Sequence, residues 1–389
     1  MKLLYHHRIA SKDGQFVHVE ELISALRSQG VEVVIVGPRG TGTAGFGGEN
    51  RVVARLKKLL PDFCYELLEF GYALVAFVKL GRAVRQHRPD GIYERYNLFQ
   101  PAGIWISKVY GLPLLSEVNA PLAEERARYS GLALVKLAAW SERYVWRNAA
   151  VVLPVTEVLA AKIRAAGVPR DRIRVVPNGV NALRYRTLPD PEEVKRTLGL
   201  SGRQVLGFTG FMREWHGLER VVELVARDTS GRRCALLVGD GPVRNSLERY
   251  AAHLGVSDRV RITGVVEHEK VSEFVAAFDV ALQPSVVSYA SPLKLFDYMA
   301  QGKAIVAPNT ANIKEVLDDG VSAKLFAPED PREFLIAAEE LLEDPGARAR
   351  LGDAARKVLW SKPYTWQENA RRIQQLIEAL LNATATAET

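Results

Sequence analysis

The sequence predicts an α/β protein of two doubly wound domains, each a parallel sheet covered by helices on both faces, which face each other across a cleft. Short β-branched runs alternate with helical patterns in both halves of the chain, and this βαβ rhythm is typical of parallel sheets. The 389 residues are enough for about two domains. Turn signals in the run VPNGV at 176–180 mark a hinge between the halves.

The first half contains four runs rich in branched aliphatic residues and three segments of helical periodicity. The runs predict strands at 31–37, 91–93, 113–118 and 150–155. The periodic segments predict helices at 15–28, 66–87 and 132–147. We take residues 1–178 as the first domain.

The second half repeats the pattern with five runs and five periodic segments. Strands are predicted at 204–210, 234–239, 259–263, 279–283 and 304–307, and helices at 217–227, 243–254, 270–277, 292–301 and 331–343. Residues 181–203 are polar and predict an irregular connection. We take 179–365 as the second domain. We expect the helix predicted at 366–382, within the segment 366–389, to pack back toward the first domain and to end in a flexible tail.

The net charge of +7 comes from the first half of the chain. Residues 1–180 carry 25 Lys and Arg against 16 Asp and Glu, whereas the remainder carries 27 against 29. The basic side chains are densest at Arg51, Arg55, Lys57 and Lys58, and again at Lys79, Arg82, Arg85 and Arg88. Such a surface suits nucleic acid, anionic lipid or a phosphorylated partner, or it consists of solvated helix faces. We expect no nucleic-acid partner, because no binding motif is recognisable and aromatic residues do not interleave with the basic runs.

The cysteines and the apolar segments bear on the compartment. Cys64 and Cys234 lie far apart without metal-ligand spacing, which argues against a disulfide framework and fits a reducing compartment. The start of the chain turns polar after MKLLY, too early for a secretory signal. The most apolar stretch, 63–80, contains three charged side chains and predicts an amphipathic helix rather than a membrane span. We expect a cytoplasmic protein, with a peripheral position on the inner membrane face as an alternative.

Residues 284–310 carry the strongest chemical signal. Ser291 is placed to cap a helix and Pro292 to begin it, which leaves open N–H groups at the helix start, where anions bind. Lys294 adds a positive charge in the first turn, and Asp297 follows three residues later on the same face. A diphosphate suits the amides and the cation, and a ribose diol suits the carboxylate. The alternative is a capped helix with a Lys–Asp surface pair.

Two strand-to-helix turns of the second half are candidates for the same site. Gly210 ends a strand, and Arg213 and His216 follow in a loop whose side chains suit phosphate. The segment 237–247 contains the sharp turn Gly-Asp-Gly, and the Gly-Val-Val of 264–266 offers main-chain groups to a nucleobase. Ordinary turns have the same composition, so that alternative stays open.

The N-terminal loop 6–18 predicts a second helix N-terminus across the cleft from the first. Gly14 precedes a helix that starts near Gln15. His18 lies in the first turn of this helix and either packs or faces solvent.

In this order the segments resemble the retaining glycosyltransferases of family 4. SPLKLFDYMAQGKAIVAP is similar to that family's donor motif, VVPNGV to its interdomain segment, and LLVGDGPVRNSLE and VRITGVVEHEKV to its next two βα units. DGQFVHVEELISALRSQGVEV resembles its first helix and second strand. SEVNAPLAEERARY and IYERYNLF resemble N-domain segments of members that build polysaccharides or lipid-linked glycans. The resemblance covers roughly residues 1–375.

The resemblance implies the GT-B architecture of two Rossmann-like domains, with the acceptor bound mainly by 1–178 and a nucleotide sugar mainly by 179–365. It implies transfer of a hexose-type sugar, usually from a UDP- or GDP-sugar, with retention of anomeric configuration. A glycan, a lipid-linked molecule or a small molecule is the expected acceptor. Closure of the two domains is expected to exclude water from the reacting groups.

Carried over residue by residue, the resemblance implies a donor site around the helix predicted at 292–301. Lys294 and the amides from Ser291 to Leu293 would hold the diphosphate. Asp297 would bind the ribose and is also a catalytic candidate. Val266 would contact the base through its main chain.

The remaining implied residues lie on other loops. His216 stands where the family usually has a phosphate-binding Lys, and Gly210 and Arg213 belong to the same loop. Gly14 lies in the N-terminal loop that would close over the donor. Asn119 stands near the position of a catalytic or acceptor-orienting His and is the second catalytic candidate.

The chain departs from the family pattern near the chemistry. Tyr289 stands where the first residue of an acidic pair is usual. Phe211 stands where an Arg is usual, with Arg213 two residues on as a substitute. Together with Asn119 in place of His, these departures leave an inactive or unusual member as an alternative.

The same residues bear on three other functions and on whether a metal or cofactor is needed. A nucleotide-sugar epimerase on this architecture and a non-catalytic nucleotide-sugar-binding protein stay open. A dehydrogenase does not fit, because the glycines of 37–48 follow a second strand and no helix pattern opens after them; that stretch predicts a loop near the cleft. We expect neither a metal nor a separate cofactor, because no clustered Asp or His ligand set is present and Lys294 supplies the charge role of a metal.

Overall fold

The computed structural model describes residues 1–9, 14–38, 60–362 and 364–387, and it contains two compact units. Unit 1 comprises Met1–Pro177 and Trp366–Thr389, and unit 2 comprises Asn178–Thr365. The chain therefore passes between the units within the predicted hinge segment and again before its last helix. The basic positions 51, 55, 57 and 58 lie outside the described residues, as does the loop predicted at 37–48 apart from its first two residues.

Unit 1 is built on a five-stranded parallel sheet of order β2-β1-β3-β4-β5. The strands are β1 (Lys2–His6), β2 (Glu32–Val36), β3 (Gly91–Arg95), β4 (Leu114–Val118) and β5 (Val151–Pro154). The helices before the hinge are α1 (Gly14–Ser28), α2 (Asp62–His87), α3 (Ala102–Tyr110), α4 (Leu122–Tyr129), α5 (Val135–Asn148) and α6 (Glu157–Ala165). The final helix, Trp366–Ala387, packs against α1.

Unit 2 is built on a six-stranded parallel sheet of order β11-β10-β9-β6-β7-β8. Its strands are β6 (Gln204–Thr209), β7 (Arg233–Val238), β8 (Val260–Ile262), β9 (Val280–Leu282), β10 (Ala304–Pro308) and β11 (Lys324–Phe326). Its helices are α7 (Pro191–Thr197), α8 (Glu219–Ala226), α9 (Arg244–His253), α10 (His268–Ala276), α11 (Leu293–Ala300), α12 (Pro331–Glu343) and α13 (Pro345–Ser361). The final helix of unit 1 is accordingly α14.

The sequence patterns missed several short or weakly patterned elements. The strand β1 pairs with both β2 and β3 and so lies inside the sheet, although its five residues are too few for a reliable pattern. The helices α3, α4, α6 and α13 and the strand β11 were not predicted either. The connection at 181–203 was predicted to be irregular but contains α7, whose N-cap Asp190 accepts hydrogen bonds from the amides of Glu192 and Glu193.

Entry to and exit from unit 2 are joined by main-chain contacts. The amide of Val180 donates to the carbonyl oxygen of Tyr364 at 3.0 Å, and Val180 bridges Thr365. A Cβ on Gly179 would lie 2.8 Å from the same carbonyl oxygen. The glycine of the VPNGV segment is thus required by this close approach of two main-chain segments.

Candidate functional site

Main-chain contacts join the loops that follow β6, β7 and β8 in unit 2. The amide of Gly210 donates to the carbonyl oxygen of Val238 at 2.9 Å, and Gly239 bridges Gly264. Gly239 has φ 134°, and a Cβ there would overlap the carbonyl oxygen of Gly210. The three turns singled out in the sequence therefore form one surface at the carboxyl ends of the strands, the edge at which such sheets bind ligands.

Lys294, in the first turn of α11, lies against this surface. Its Nζ is 4.0 Å from the centroid of the Phe208 ring, and a Cβ on Gly210 would lie 3.5 Å from the same Nζ. Within the described ranges Lys294 forms no ion pair, so the alternative of a Lys–Asp surface pair is not observed. Burial lowers the pKa of Lys294 to about 7. The result is a lysine whose charge lacks a counter-ion and which a bound anion would hold in the protonated form.

The helix start differs from the prediction by one residue. Ser291 does not cap α11, because its Oγ accepts the amide of Asn178 at 3.3 Å and its carbonyl oxygen accepts Asn178 Nδ2 at 2.6 Å. Pro292 has ψ 118° and occupies the N-cap position without a side-chain cap, so the helix begins at Leu293. The first amides of α11 consequently have no capping side chain, which keeps them available to an anion.

Three buried amide side chains hold the loop before α11. Asn178, Gln283 and Asn312 are between 1% and 6% exposed. Each donates its NH2 group to main-chain carbonyl oxygens of the loop, at Ser291, at Ser285, and at Val287 and Ala290 respectively. These bonds turn the carbonyls inward and fix the approach to α11 before any ligand binds. Sequence reasoning missed all three amides, although Asn178 stands in the recognisable VPNGV segment.

His216 closes a short 3₁₀ turn on the same surface. Its Nδ1 accepts the amide of Arg213 at 3.1 Å, and its ring meets the Phe208 ring edge-on with centroids 5.1 Å apart. Burial, with the nearby charges of Lys294 and Arg213, lowers the pKa of His216 to about 2. The imidazole is therefore neutral. Because Nδ1 accepts a hydrogen bond, Nε2 carries the hydrogen atom and can donate a hydrogen bond to a ligand oxygen.

Arg213 lies close to two aromatic rings. Its guanidinium carbon is 4.8 Å from the centroid of Phe211 and 4.9 Å from that of Trp215. These cation–π contacts hold the guanidinium in place without neutralising its charge. Phe211, which stands where the family usually has an arginine, thus supports the arginine two residues on.

Asp297 lies one turn after Lys294 and is oriented by Tyr185. The Tyr185 hydroxyl donates to Asp297 Oδ1 at 2.6 Å. Tyr185 is buried and belongs to the segment that the sequence predicted as irregular, so its role was missed. Tyr289 is also buried, which puts a phenol rather than a carboxylate at that position. Val266 follows Gly264 in the loop after β8 and is partly buried against the core of unit 2.

In unit 1 the candidate Asn119 is attached to a buried charge network. Its Nδ2 donates to Glu117 Oε1, and Glu117 also pairs with Arg95 and, at 3.2 Å, with His18. Burial by itself would raise the pKa of Glu117, but His18 and Arg95 hold that pKa well below its usual range. His18 packs on Trp366 with centroids 4.8 Å apart and does not face solvent.

The remaining unit 1 candidate, Gly14, is the first residue of α1, one position before the helix start predicted near Gln15. Glu117 and Arg95 were not predicted from the sequence, because a charged residue in a short strand is also typical of an exposed strand at the edge of a sheet. Their partners come from different strands and from α1, so the network exists only in the folded sheet.

The surface in unit 2 suits a diphosphate. It combines a lysine without a counter-ion, an arginine beside two aromatic rings, a neutral histidine donor and uncapped helix amides, all of which are donors to anionic oxygens. Among the described residues, no group of three or more His, Cys, Asp or Glu side chains could hold a metal ion.

Two family models match the chain. The model "Glycosyl transferase 4-like domain" matches residues 13–179, and "Glycosyl transferases group 1" matches residues 203–344. α-D-Kanosaminyltransferase of Streptomyces kanamyceticus is 27% identical over 64% of this chain and 66% of its own. D-inositol 3-phosphate glycosyltransferase of Acidothermus cellulolyticus is 28% identical over 97% of this chain and 88% of its own. This chain spans between 46% and 66% of the length of the first three curated relatives.

Several solved structures share the fold of this chain, although their sequence identity to it is low. HepE of Anabaena, in complex with UDP and glucose, has a TM-score of 0.74 and 18% identity over 97% of this chain and 100% of its own. Sucrose-phosphate synthase from Thermosynechococcus elongatus has a TM-score of 0.78 and 18% identity over 98% and 100%. Both halves of the chain thus match glycosyltransferase models, and nearly the whole chain matches a two-domain glycosyltransferase fold. The protein belongs to the glycosyltransferases of GT-B architecture, and these matches are consistent with family 4, which its motifs predicted.

Proposed function

We propose that this glycosyltransferase uses a nucleotide-diphosphate sugar as its donor and binds it mainly in unit 2. The observation that carries the proposal is the partly buried Lys294, which has no ion-pair partner among the described residues and lies beside the uncapped amides of α11. A cation without a counter-ion is costly to bury, and a diphosphate would supply the missing negative charge. The UDP complex of HepE is consistent with this donor class.

Each implied residue takes a role that its contacts support. Lys294 and the amides at Leu293 bind the diphosphate. Arg213 and the Nε2 of His216 donate to its remaining oxygens. Asp297, whose carboxylate is oriented by Tyr185, binds the ribose.

The reaction we propose is transfer of a hexose-type sugar with retention of anomeric configuration. The bond from the anomeric carbon to the diphosphate oxygen breaks, and the diphosphate leaves with the electron pair. The acceptor hydroxyl gives its proton to an oxygen of the leaving diphosphate, and its own oxygen bonds to the anomeric carbon on the face that the diphosphate leaves. Lys294 and the α11 amides stabilise the leaving charge, a role that needs no metal.

The rest of the donor and the acceptor involve residues on other loops. Val266 meets the base through its main chain. Gly14, at the start of α1, contacts the donor, and Asn119, held by Glu117, orients the acceptor. A glycan, a lipid-linked molecule or a small molecule is the proposed acceptor. The proposed setting is the cytoplasm, with peripheral contact at an anionic membrane.

A second candidate is a non-catalytic nucleotide-sugar-binding protein. It is favoured by the buried Tyr289, because the carboxylate usual near the donor sugar is absent there. Incubation with donor and an acceptor panel separates the candidates, since only the transferase releases free nucleoside diphosphate in step with a glycosylated product. Incubation with donor alone tests an epimerase, which needs no acceptor.

A thermal-shift panel of nucleoside diphosphates and nucleotide sugars tests the donor. A ligand at about 100 times its dissociation constant stabilises the folded state by about 2.7 kcal/mol, a shift that is easily measured. Lys294→Ala should abolish the shift, whereas Lys324→Ala, at a surface lysine that pairs with Glu340, should retain it. A panel without any shift, or a shift that survives Lys294→Ala, would contradict the proposal.

A further inference from the structure

The helix α2 of unit 1 exposes large apolar side chains along most of its length. Six of them are between 47% and 63% exposed. These six, which we call the apolar face of α2, are Phe63, Leu67, Leu68, Leu74, Val75 and Val78. Isolated exposed apolar residues are common on protein surfaces, but a contiguous row of this kind on one helix marks a binding surface.

The helix packs on its domain mainly through small and polar residues, and near its C-terminus also through Leu80 and Val84. Its other buried residues are Ala73, Ala76, Gly81 and Glu66, and Glu66 accepts the amides of Ala133 and Leu134 at 2.9 and 2.6 Å. The sequence predicted an amphipathic helix over this stretch, and by the usual pattern its large apolar residues should face the core. The structure instead leaves six large apolar residues between 63 and 78 exposed, whereas Glu66 and small residues of the same stretch face the domain.

Basic residues continue the same side of α2 toward its C-terminus. After Val78 the exposed positions are Arg82, Arg85 and Gln86, with Lys79 beside them. Glu66 is buried and Glu69 pairs with Arg126 at 2.6 Å, so from 63 to 86 the exposed side carries no carboxylate of the helix. The surface is thus apolar for about two thirds of the helix and cationic for the rest.

The neighbouring helix α5 extends this surface. Phe70 of α2 meets Trp140 of α5 with ring centroids 6.2 Å apart, and Trp140 stacks on Tyr144 at 5.3 Å. The exposed cations of α5 are Lys136, Arg143 and Arg147, which line a shallow groove with the two aromatic rings. The only acidic residue of α5, Glu142, is buried and accepts the amide of Ala123.

The charges on this surface indicate which kind of partner binds it. In a two-fold dimer the same patch meets itself, so its cations would be covered by apolar side chains or by other cations, without carboxylates to neutralise them. An anionic lipid surface neutralises the cations and receives the apolar side chains, and Trp and Tyr are favoured at that boundary. No helix among the described residues is long and apolar enough to cross a membrane, so the contact would be interfacial.

We propose that the apolar face of α2, with the cations of α2 and α5, binds the surface of an anionic phospholipid membrane. This surface lies wholly in unit 1 and shares no residue with the proposed donor site. The inference deepens the membrane contact that is part of the proposed function, and lipid binding can be measured without donor or acceptor, so its failure is distinguishable from failure of the proposed sugar transfer.

Vesicle flotation of the full chain tests the proposal. The protein should float with vesicles of phosphatidylglycerol and phosphatidylcholine and should stay at the bottom with phosphatidylcholine alone. Leu74→Gln combined with Val78→Gln should weaken binding about tenfold or more, because each exposed apolar side chain loses its transfer into the lipid. Arg82→Glu combined with Arg143→Glu should weaken binding to a similar degree and reduce its salt dependence.

A matched control uses exposed apolar residues of unit 2. Val321 and Ile336 are 57% and 51% exposed, and Val321→Gln combined with Ile336→Gln should leave flotation unchanged. Thermal melting should show that all three double variants are folded. The proposal is overturned by absence of flotation at low salt, by equal binding to both vesicle types, or by a control as impaired as the α2 variant. A lipid-free dimer that dissociates in Leu74→Gln/Val78→Gln would overturn it in favour of self-association.

Discussion

The ammonium of Lys294 lies over the ring of Phe208, with Nζ 4.0 Å from the ring centroid. Phe208 is the penultimate residue of β6 and Lys294 is the second residue of α11, so the contact joins a strand and a helix through residues that are 86 positions apart in the chain. A ring face attracts a cation but neutralises none of its charge. This pairing leaves Lys294 positioned and still in need of an anion, and it sets the pH behaviour of the site.

Nucleoside diphosphate affinity should weaken as the pH rises through 7. Burial lowers the pKa of free Lys294 to about 7, and a bound diphosphate must raise it, so binding takes up a proton above that pH. Affinity should be greatest below pH 7 and should fall by up to about tenfold per pH unit above it. Isothermal titration in buffers of different ionisation enthalpy measures this uptake, and Lys294→Met should remove it along with most of the affinity.

The same shift predicts that Lys294→Met stabilises the unliganded protein near neutral pH. The pKa of Lys294 is lower in the folded state than in the unfolded state, so the folded state disfavours the charged form. This penalty is full below pH 7 and disappears as the pH approaches the ordinary value of a lysine. Urea unfolding at pH 6.5 and pH 10 measures it, and an equal effect of the variant at both pH values would count against the assignment.

Tyr185→Phe should weaken binding of nucleoside diphosphates but not of inorganic pyrophosphate. The variant removes the hydroxyl that donates to Asp297 and so loosens the carboxylate proposed to hold the ribose. One hydrogen bond of this kind corresponds to about three- to tenfold in affinity. Tyr250→Phe, which removes a hydroxyl bonded to Glu223 on the surface, serves as the control. Equal losses for both ligands would show that Tyr185 supports the fold rather than ribose binding.

Gly239→Ala should destabilise unit 2 by about 2–4 kcal/mol. The residue has φ 134°, and a Cβ would overlap the Gly210 carbonyl oxygen, so both strain and collision oppose the change. Gly255→Ala is the matched control, because Gly255 has φ 69° but nothing within 4 Å of a Cβ. It should cost about 1 kcal/mol from the positive φ alone. Chemical unfolding measures both, and similar losses would mean that the loop contact is unimportant.

Glu117→Gln should destabilise unit 1 by about 3 kcal/mol at neutral pH, because Arg95 and His18 would lose their buried counter-charge. The pKa of Glu117 is depressed in the folded state, so its contribution is present above the ordinary carboxyl pKa and is lost as the pH falls below it. Unfolding of the two proteins should therefore converge in acid. Glu124→Gln, at an exposed pair with Lys162, should change stability by less than about 1 kcal/mol.

The site segments show where sequence reasoning stopped. Residues 291–297 predict a helix N-terminus with a nearby cation, because local residue spacing is enough to identify a helix terminus. Whether Ser291 caps that helix depends on Asn178, which takes both its hydroxyl and its carbonyl from 113 positions away. No local sequence pattern shows that Asn178 occupies the Ser291 side chain, and the helix starts one residue later than predicted.

The sequence by itself predicted the α/β class and a hinge at 176–180, and it placed Lys294 and Asp297 at the start of a helix and His216 in a loop, each after a predicted strand. Those properties follow from periodicity and turn residues, which are local. Only the tertiary structure decided that Phe208 lies under Lys294, that Tyr185 orients Asp297 and that α2 presents its apolar side outward. These depend on which distant segments share a surface. The side of α2 that carries Glu66 faces the domain, because Glu66 accepts hydrogen bonds there from the amides of Ala133 and Leu134. Hydrophobic periodicity can identify such a helix, but the partners of its polar residues determine which way it faces.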